Sequence, residues 1–203
     1  MPNSGRPPHP ETSERALEAT LRILRSEGFT AVTMERVAQE IKVGKPALYR
    51  RWKDRSDMVF AALMSVTELG TCPDTGHLES DLLSHLLQSI ENEGHLTTNA
   101  SSGLVYAAVM APEITPRYME SVTRPRRLFG RTIVQRAVAR GELAPEVNVD
   151  LFLDMLAGAV FYHTYLQRQE MTEADLRQII YAICQNPPKL LPTLPRDGVN
   201  PEA

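Results

Sequence analysis

Thr33-Met34-Glu35-Arg36-Val37-Ala38-Gln39-Glu40-Ile41-Lys42-Val43-Gly44-Lys45-Pro46-Ala47-Leu48-Tyr49-Arg50-Arg51-Trp52 is two short helical patterns on either side of a three-residue break. Met34, Val37, Ala38 and Ile41 recur at i, i+3, i+4 and i+7, the spacing of one apolar helix face. Thr33 precedes them, and its side-chain oxygen can accept a first-turn amide as an N-cap. Lys42, Val43 and Gly44 form the turn. Pro46 then falls in the first turn of a second helix, where a missing N–H leaves no bond unmade. Leu48 and Trp52 are four apart and point together into a core. Two helices this short need a third to pack against.

That partner lies upstream. From Ser13 to Glu27 the residues Ala16, Leu17, Thr20, Leu21, Ile23 and Leu24 form an inward stripe, and Gly28 stops the helix. Downstream, Asp54 or Ser56 can cap a fourth helix through Met58, Val59, Ala62 and Leu63. The cluster Thr71-Cys72-Pro73-Asp74-Thr75-Gly76 breaks the pattern. Beyond it, helical periods predict helices over residues 79–91, 103–111, 116–140, 149–168 and 173–184. Pro125 should kink or split the longest. Gly141 should end it, Asn148 should cap the next and Thr172 the last. No stretch alternates as a strand. The expectation is an all-α chain: a flexible arm at 1–12, a three-helix helix-turn-helix domain with its connecting helix at 13–69, a helical domain at 70–185, and a Pro-rich tail at 186–203, extended or disordered.

The chain has 203 residues, 42% of them hydrophobic, so it can bury a substantial core. No apolar run reaches the roughly 20 residues of a membrane span. Met1–Pro10 is polar and Pro-rich, unlike a signal peptide. Cys72 and Cys184 lack a paired spacing, which speaks against a disulfide framework or a zinc site and fits a reducing cytoplasm. Net charge is −3, unevenly spread: residues 1–65 carry +3 and residues 66–203 carry −6. Between Lys42 and Arg55, six basic residues (Lys42, Lys45, Arg50, Arg51, Lys53, Arg55) meet one acid, Asp54. A basic patch on an acidic protein is the electrostatic footprint of a DNA reader.

The geometry fits that use. An α-helix enters the major groove and its N-terminal residues meet base edges. Lys45, Pro46, Ala47 and Tyr49 lie opposite Leu48 and Trp52, with Arg50, Arg51, Lys53 and Arg55 extending the positive surface. Thr33 and Met34 would offer first-turn amides to a phosphate. From Gly28 to Ala38 and from Val43 to Trp52 the sequence resembles the DNA-binding domain of TetR-type (TetR/AcrR-like) transcriptional regulators, with the likeness extending over residues 13–65. The resemblance implies that Lys45, Pro46, Ala47 and Tyr49 face the groove, while Thr33, Arg51, Lys53 and Arg55 touch phosphates. Two departures stand out. Lys42 replaces the usual turn glycine, so it is expected in the left-handed region at about 1 kcal/mol. Gly44 replaces the usual serine cap.

The resemblance further implies a homodimer on a palindromic double-stranded operator and a C-terminal domain that binds a small effector, here expected to be hydrophobic or aromatic. Dimerisation is expected through the long helices at 116–140 and 149–168, where the small residues of Leu156-Ala157-Gly158-Ala159 permit close approach. Tyr106, Met110, Met155, Phe161, Tyr162, His163 and Tyr165 are candidates to line the effector pocket. The leading reading is a repressor released by its effector. An activator, or a regulator answering to a protein, would use the same DNA surface, and a helical enzyme is the reading from another class. No Gly-rich phosphate loop, nucleophile elbow or metal-spaced His cluster points to catalysis. The expectation is therefore no catalytic residue, metal or cofactor. A redox role for Cys72 would need a cationic neighbour or a partner thiol.

Overall fold

A computed structural model of the chain describes residues 10–94, 109–167, 169 and 171–190. Among these residues every regular element is helical: α1 (Pro10–Glu27), α2 (Met34–Glu40), α3 (Lys45–Tyr49), α4 (Arg55–Met64), α5 (Leu78–Gly94), α6 (Thr115–Tyr118), α7 (Arg124–Arg140), α8 (Val149–Phe161) and α9 (Glu173–Gln185). α1 begins three residues before the expected Ser13, within the stretch expected to be a flexible arm, because Pro10 is pre-organised for a first helical turn. Most of the helix expected over 103–111 lies outside the described residues, as do residues 1–9 and 191–203.

The caps read from sequence form as hydrogen bonds. Thr33 accepts from the Arg36 N–H, Asp54 from Asp57, Asn148 from Leu151, and Thr172 from Asp175 in a reciprocal capping box. Gly141, at φ 80°, turns α7 back in the left-handed region. Residues 188–190, in the tail expected to be extended or disordered, pair with the loop before α8. Asn148 donates to the Pro188 carbonyl at 2.7 Å and Leu190 donates to the Glu146 carbonyl at 2.8 Å. Val147 and Lys189 thereby form an isolated antiparallel bridge.

Pro125 splits the long helical stretch by its winding: a short helix, a π-turn and α7 follow one another. Residues Met119–Thr123 form a π-turn, in which the Arg124 N–H reaches five residues back to the Met119 carbonyl. A proline cannot donate and its ring crowds the preceding turn, so the wider winding relieves the clash. A second π-turn, Tyr162–Leu166, follows α8 directly and carries the helical winding on to Leu166, where a helix was expected to Arg168; there Gln167 donates to the Tyr162 carbonyl at 3.0 Å.

The chain buries two apolar cores. The first gathers α1–α4 around Leu24, Leu48, Met58 and Leu63 and forms a head. The second gathers α5, α7, α8 and α9 around Leu82, Ile133, Phe152, Leu176 and Ile180 and forms a body. The head is completed from beyond its own sequence: Ala111, Ile114, Tyr118 and Val122, which follow α5 in the chain, are buried in the first core. Arg117 reinforces the junction, bonding Asp57 of α4 at 3.0 Å with its guanidinium 3.8 Å from the centre of the Phe60 ring. At the start of the body, buried Asp81 accepts the Thr75 N–H at 2.6 Å and lies 3.8 Å from Arg140.

Candidate nucleic-acid interface and ligand cavity

Helices of seven and five residues are too short to persist alone, so α2 and α3 depend on what holds them. Beneath, Val37, Ala38, Leu48 and Trp52 are buried. At the sides, three arginines clamp α2 to α1: Arg15 donates to the Ile41 carbonyl at 2.8 Å, Arg22 pairs with Glu40, and Arg36 grips both oxygens of Glu27. The turn is closed by Val43 N–H on the Ala38 carbonyl at 2.9 Å, and Lys42 takes φ 58°. This is the left-handed conformation expected where a glycine would be usual.

The clamped pair presents Thr33, Lys45, Pro46, Tyr49, Arg50 and Lys53 to solvent, while Ala47, Arg51 and Arg55 are half-buried. Thr33, Met34, Lys45, Tyr49 and Arg55 line one shallow depression together with Glu35 and Asp54. The Met34 side chain is buried, so only its backbone amide is available to a phosphate. Arg51 is held inward: Nε donates to Ser13 Oγ at 2.8 Å and Nη1 to the Ala47 carbonyl at 2.7 Å. The Arg55 guanidinium lies 4.3 Å from the centre of the Phe29 ring. One contact escapes sequence reading. Lys45, at the start of the recognition helix, is ion-paired with Glu35 of α2. The signal was an acid in the first turn of α2, ten residues before its partner.

The body contains a cavity of about 330 Å³. From α5 come Leu82, His85, Leu86 and Ser89; from α6 and the first π-turn come Tyr118, Val122 and Thr123. α7 contributes Arg126, Arg127 and Gly130, and α8 contributes Leu153, Leu156, Ala157, Val160 and Phe161, with Tyr165 from the second π-turn. Gly130 sets how closely α7 approaches α8, since a Cβ there would lie 2.8 Å from Leu153 Cδ2. His85 packs edge-on against Phe129, its centroid 6.4 Å away. Burial, aided by the nearby Arg126 charge, lowers the His85 pKa to about 4, so the imidazole is neutral at pH 7.

Of the seven pocket candidates, the structure brings Phe161 and Tyr165 to this cavity. Tyr106 lies outside the described residues. Met110 is 49% exposed and stands apart from the lining, as does half-buried His163. Met155 and Tyr162, 43% and 55% exposed, turn outward for a periodic reason. Leu151, Met155, Gly158, Tyr162 and Leu166 repeat at helical spacing on the face opposite Phe152 and Leu156, and all five are exposed. Sequence reading missed His85 and Arg126, although both fall on buried stripes. Arg126 shares its spacing with Gly130, Ile133, Val134 and Ala137, all buried. A cation on an apolar helix face was the signal.

Among the described residues no cluster of three or more His, Cys, Asp and Glu could hold a metal ion. No helix among them is long and apolar enough to cross a membrane. Cys72 Sγ has a cationic neighbour, Arg136, at 3.8 Å, and Cys184 has its thiol pushed up to about 12 by burial.

Comparison with known proteins gives this arrangement its relatives. Over 177 residues the chain is 24% identical to the HTH-type transcriptional regulator YdeS of Bacillus subtilis, covering 87% of this chain and 89% of that one. In fold it is similar to MexZ, a repressor responsible for antibiotic resistance in Pseudomonas aeruginosa, with a TM-score of 0.62 at 19% identity over 85% of this chain and 92% of that one. It is likewise similar in fold to the flavonoid-responsive regulator FrrA, with a TM-score of 0.57 at 16% identity over 85% and 92% of the two chains. Residues 16–62 match the family model described as bacterial regulatory proteins, tetR family, and residues 72–183 match the tetracyclin repressor-like C-terminal domain. The chain therefore belongs to the TetR family and is a DNA-binding transcription regulator.

Proposed function

We propose that the protein is a repressor that binds a palindromic operator as a two-fold dimer and leaves it when a small molecule occupies the body cavity. One observation carries this reading. Tyr118 and Val122 line the cavity and are also buried in the core of the head, so the two regions share side chains. A ligand that favours one placement of this shared segment biases the spacing of two recognition helices by its differential affinity for the two states. MexZ is a repressor and FrrA responds to flavonoids, relatives in keeping with this reading. An open cavity favours a small-molecule signal over a protein one.

On the DNA side, Lys45, Pro46, Ala47 and Tyr49 are assigned to base edges, and Arg50, Lys53, Arg55 and the Thr33–Met34 amides to phosphates. Arg51 buttresses α3 against α1 and reaches a phosphate only after leaving Ser13. The exposed stripe Leu151–Met155–Gly158–Tyr162–Leu166 is assigned to the partner subunit. The test is operator binding, with the operator found by selection from random duplexes. Lys45→Ala and Tyr49→Ala should each weaken it by about 1–3 kcal/mol. Variants that bind as tightly as the parent would show that another face reads DNA.

A further inference from the structure

The cavity wall contributed by α8 is apolar, and at its end Phe161 and Tyr165 lie ring against ring with centroids 5.4 Å apart. Several polar groups of the lining are bound into the frame of the body. Arg127 bonds Asp154 at 2.6 Å and Asp150 at 2.9 Å, Arg126 donates to the Glu68 carbonyl at 2.8 Å, and the Ser89 hydroxyl donates to the His85 carbonyl at 3.0 Å. The His85 imidazole is different. Its ring packs edge-on against Phe129, a contact that fixes the ring plane without using a ring nitrogen. Neither nitrogen has a hydrogen-bond partner among the described residues. The ring is neutral at pH 7, because burial and the nearby Arg126 charge lower its pKa to about 4. A neutral imidazole carries one donor nitrogen and one acceptor nitrogen. A molecule that displaces solvent from such a wall has to replace the bonds of these nitrogens or leave them buried and unmet, which costs affinity.

We infer, resting on the small-molecule reading above, that the ligand of this cavity is a phenol: an aromatic body lying against Leu153, Leu156, Val160 and Phe161, with its hydroxyl donated to the acceptor nitrogen of His85. The aromatic body follows from the walls, since rings pack best edge-to-face or offset against other rings, and Phe161 and Tyr165 offer such partners. The hydroxyl follows from His85. An aromatic ring draws charge from its hydroxyl oxygen, so a phenol donates more strongly than an aliphatic alcohol does. The volume suits a compact body of one or two rings, since small-molecule sites span roughly 300–1,000 Å³ and this one is about 330 Å³. A molecule held by His85 at one end and by Leu156, Val160 and Phe161 along its body ties α5 to α8, two walls that the chain otherwise leaves apart across the cavity.

The experiment uses the full-length protein and matched pairs in which a methyl group replaces the hydroxyl at nearly constant size: 2-naphthol with 2-methylnaphthalene, 4-phenylphenol with 4-methylbiphenyl, and 4-propylphenol with 4-propyltoluene. Affinities come from calorimetry and operator release from fluorescence anisotropy. In at least one pair the phenol should bind about ten- to a hundredfold more tightly than its methyl partner. His85→Phe, which keeps a ring against Phe129, should remove that preference by weakening the phenol while sparing the methyl compound. His85→Gln, which keeps a donor and an acceptor, should restore part of it. If His85→Phe does not fold, nitrogen NMR of the parent with isotopically labelled histidine decides the matter. The phenol should shift a His85 ring-nitrogen resonance, assigned by its absence from His85→Gln, and the methyl partner should not. A phenol preference that survives His85→Phe, or a bound phenol that leaves the resonance in place, overturns the inference. Equal binding of phenol and methyl partner, both lost when Val160→Trp fills the cavity, also overturns it and leaves the small-molecule reading standing. A panel in which no member binds or releases operator overturns both.

Discussion

Head and body solve the same problem, burying helices against one another, with opposite tolerances. The head uses helices of seven and five residues for its DNA-facing pair and immobilises them from below with Leu48 and Trp52 and from the side with Arg15, Arg22 and Arg36. The body uses longer helices, 17 residues in α7 and 13 in α8, interrupts two stretches with π-turns, and leaves about 330 Å³ unfilled between them. A surface that reads a groove has to keep its shape, whereas helices packed around an unfilled volume have room to shift against one another. The difference teaches where a change of packing would meet least resistance: around the π-turns and the cavity rather than in the clamped helix-turn-helix.

The largest effect should come from attacking the place where the two regions stop being separate. Ile114 follows the body's first helix in the chain but is fully buried in the head. Ile114→Ala should destabilise the head by about 2–4 kcal/mol. Trp52, the sole tryptophan and part of the head's core, reports this through its fluorescence in urea. Ile133→Ala, in the body, should move the far-UV circular dichroism transition more than that of Trp52. Equal shifts of both signals by both variants would mean that head and body unfold as one unit and that the comparison fails.

A smaller effect sharpens the comparison from the body's side. The His85 pKa falls from 6.5 to about 4 because burial, then Arg126, disfavours the imidazolium. Below pH 6.5 the unfolded chain therefore binds a proton that the folded one refuses, and stability falls as pH drops from about 6.5 toward 4. Allowing for solvent around this half-buried ring, the body should be about 1–2 kcal/mol less stable at pH 5 than at pH 7 through this residue. His85→Gln should flatten that part of the urea-midpoint profile, and a variant with the parental slope would remove His85 from the account. The smallest effect belongs to the head. Lys42→Gly relieves a left-handed residue and should raise the Trp52 midpoint by at most about 1 kcal/mol. A lower midpoint would mean that the Lys42 side chain supplies more than the backbone strain removes.

The head was far more legible in sequence than the cavity, for a physical reason. Thr33, Gly44, Pro46, Asp54 and the Leu48–Trp52 pair act through near neighbours along the chain, and local spacing carries that information. The left-handed backbone of Lys42 was expected from the family resemblance, which puts a glycine at that turn position. The cavity is made by four helices distant in sequence, and what lines it depends on how each rotates. At the end of α8 the aromatic stretch Phe161–Tyr165 offers pocket candidates on several faces, and the helix's rotation sends Met155 and Tyr162 outward while it brings Ala157 and Val160 to the wall. The closing of the head by Ile114, Tyr118 and Val122 was illegible in the same way, since nothing local distinguishes those residues from body core. Their spacing announces a buried face but not which core receives it.

The pair between Glu35 and Lys45 has a consequence in the ionic accounting of DNA binding. Each lysine that neutralises a phosphate ordinarily releases a condensed cation from the duplex, and that release makes affinity fall steeply as salt rises. Here the lysine arrives with an anion already attached. On DNA that offers it no base to read, Lys45 meets phosphates only by leaving Glu35, whose freed carboxylate offsets part of its charge, so fewer cations are released than the patch would suggest. The protein would thus bind arbitrary DNA with a shallower dependence on ionic strength than its basic patch suggests. The advantage of the correct operator would lie more in contacts at base edges, which salt does not screen away.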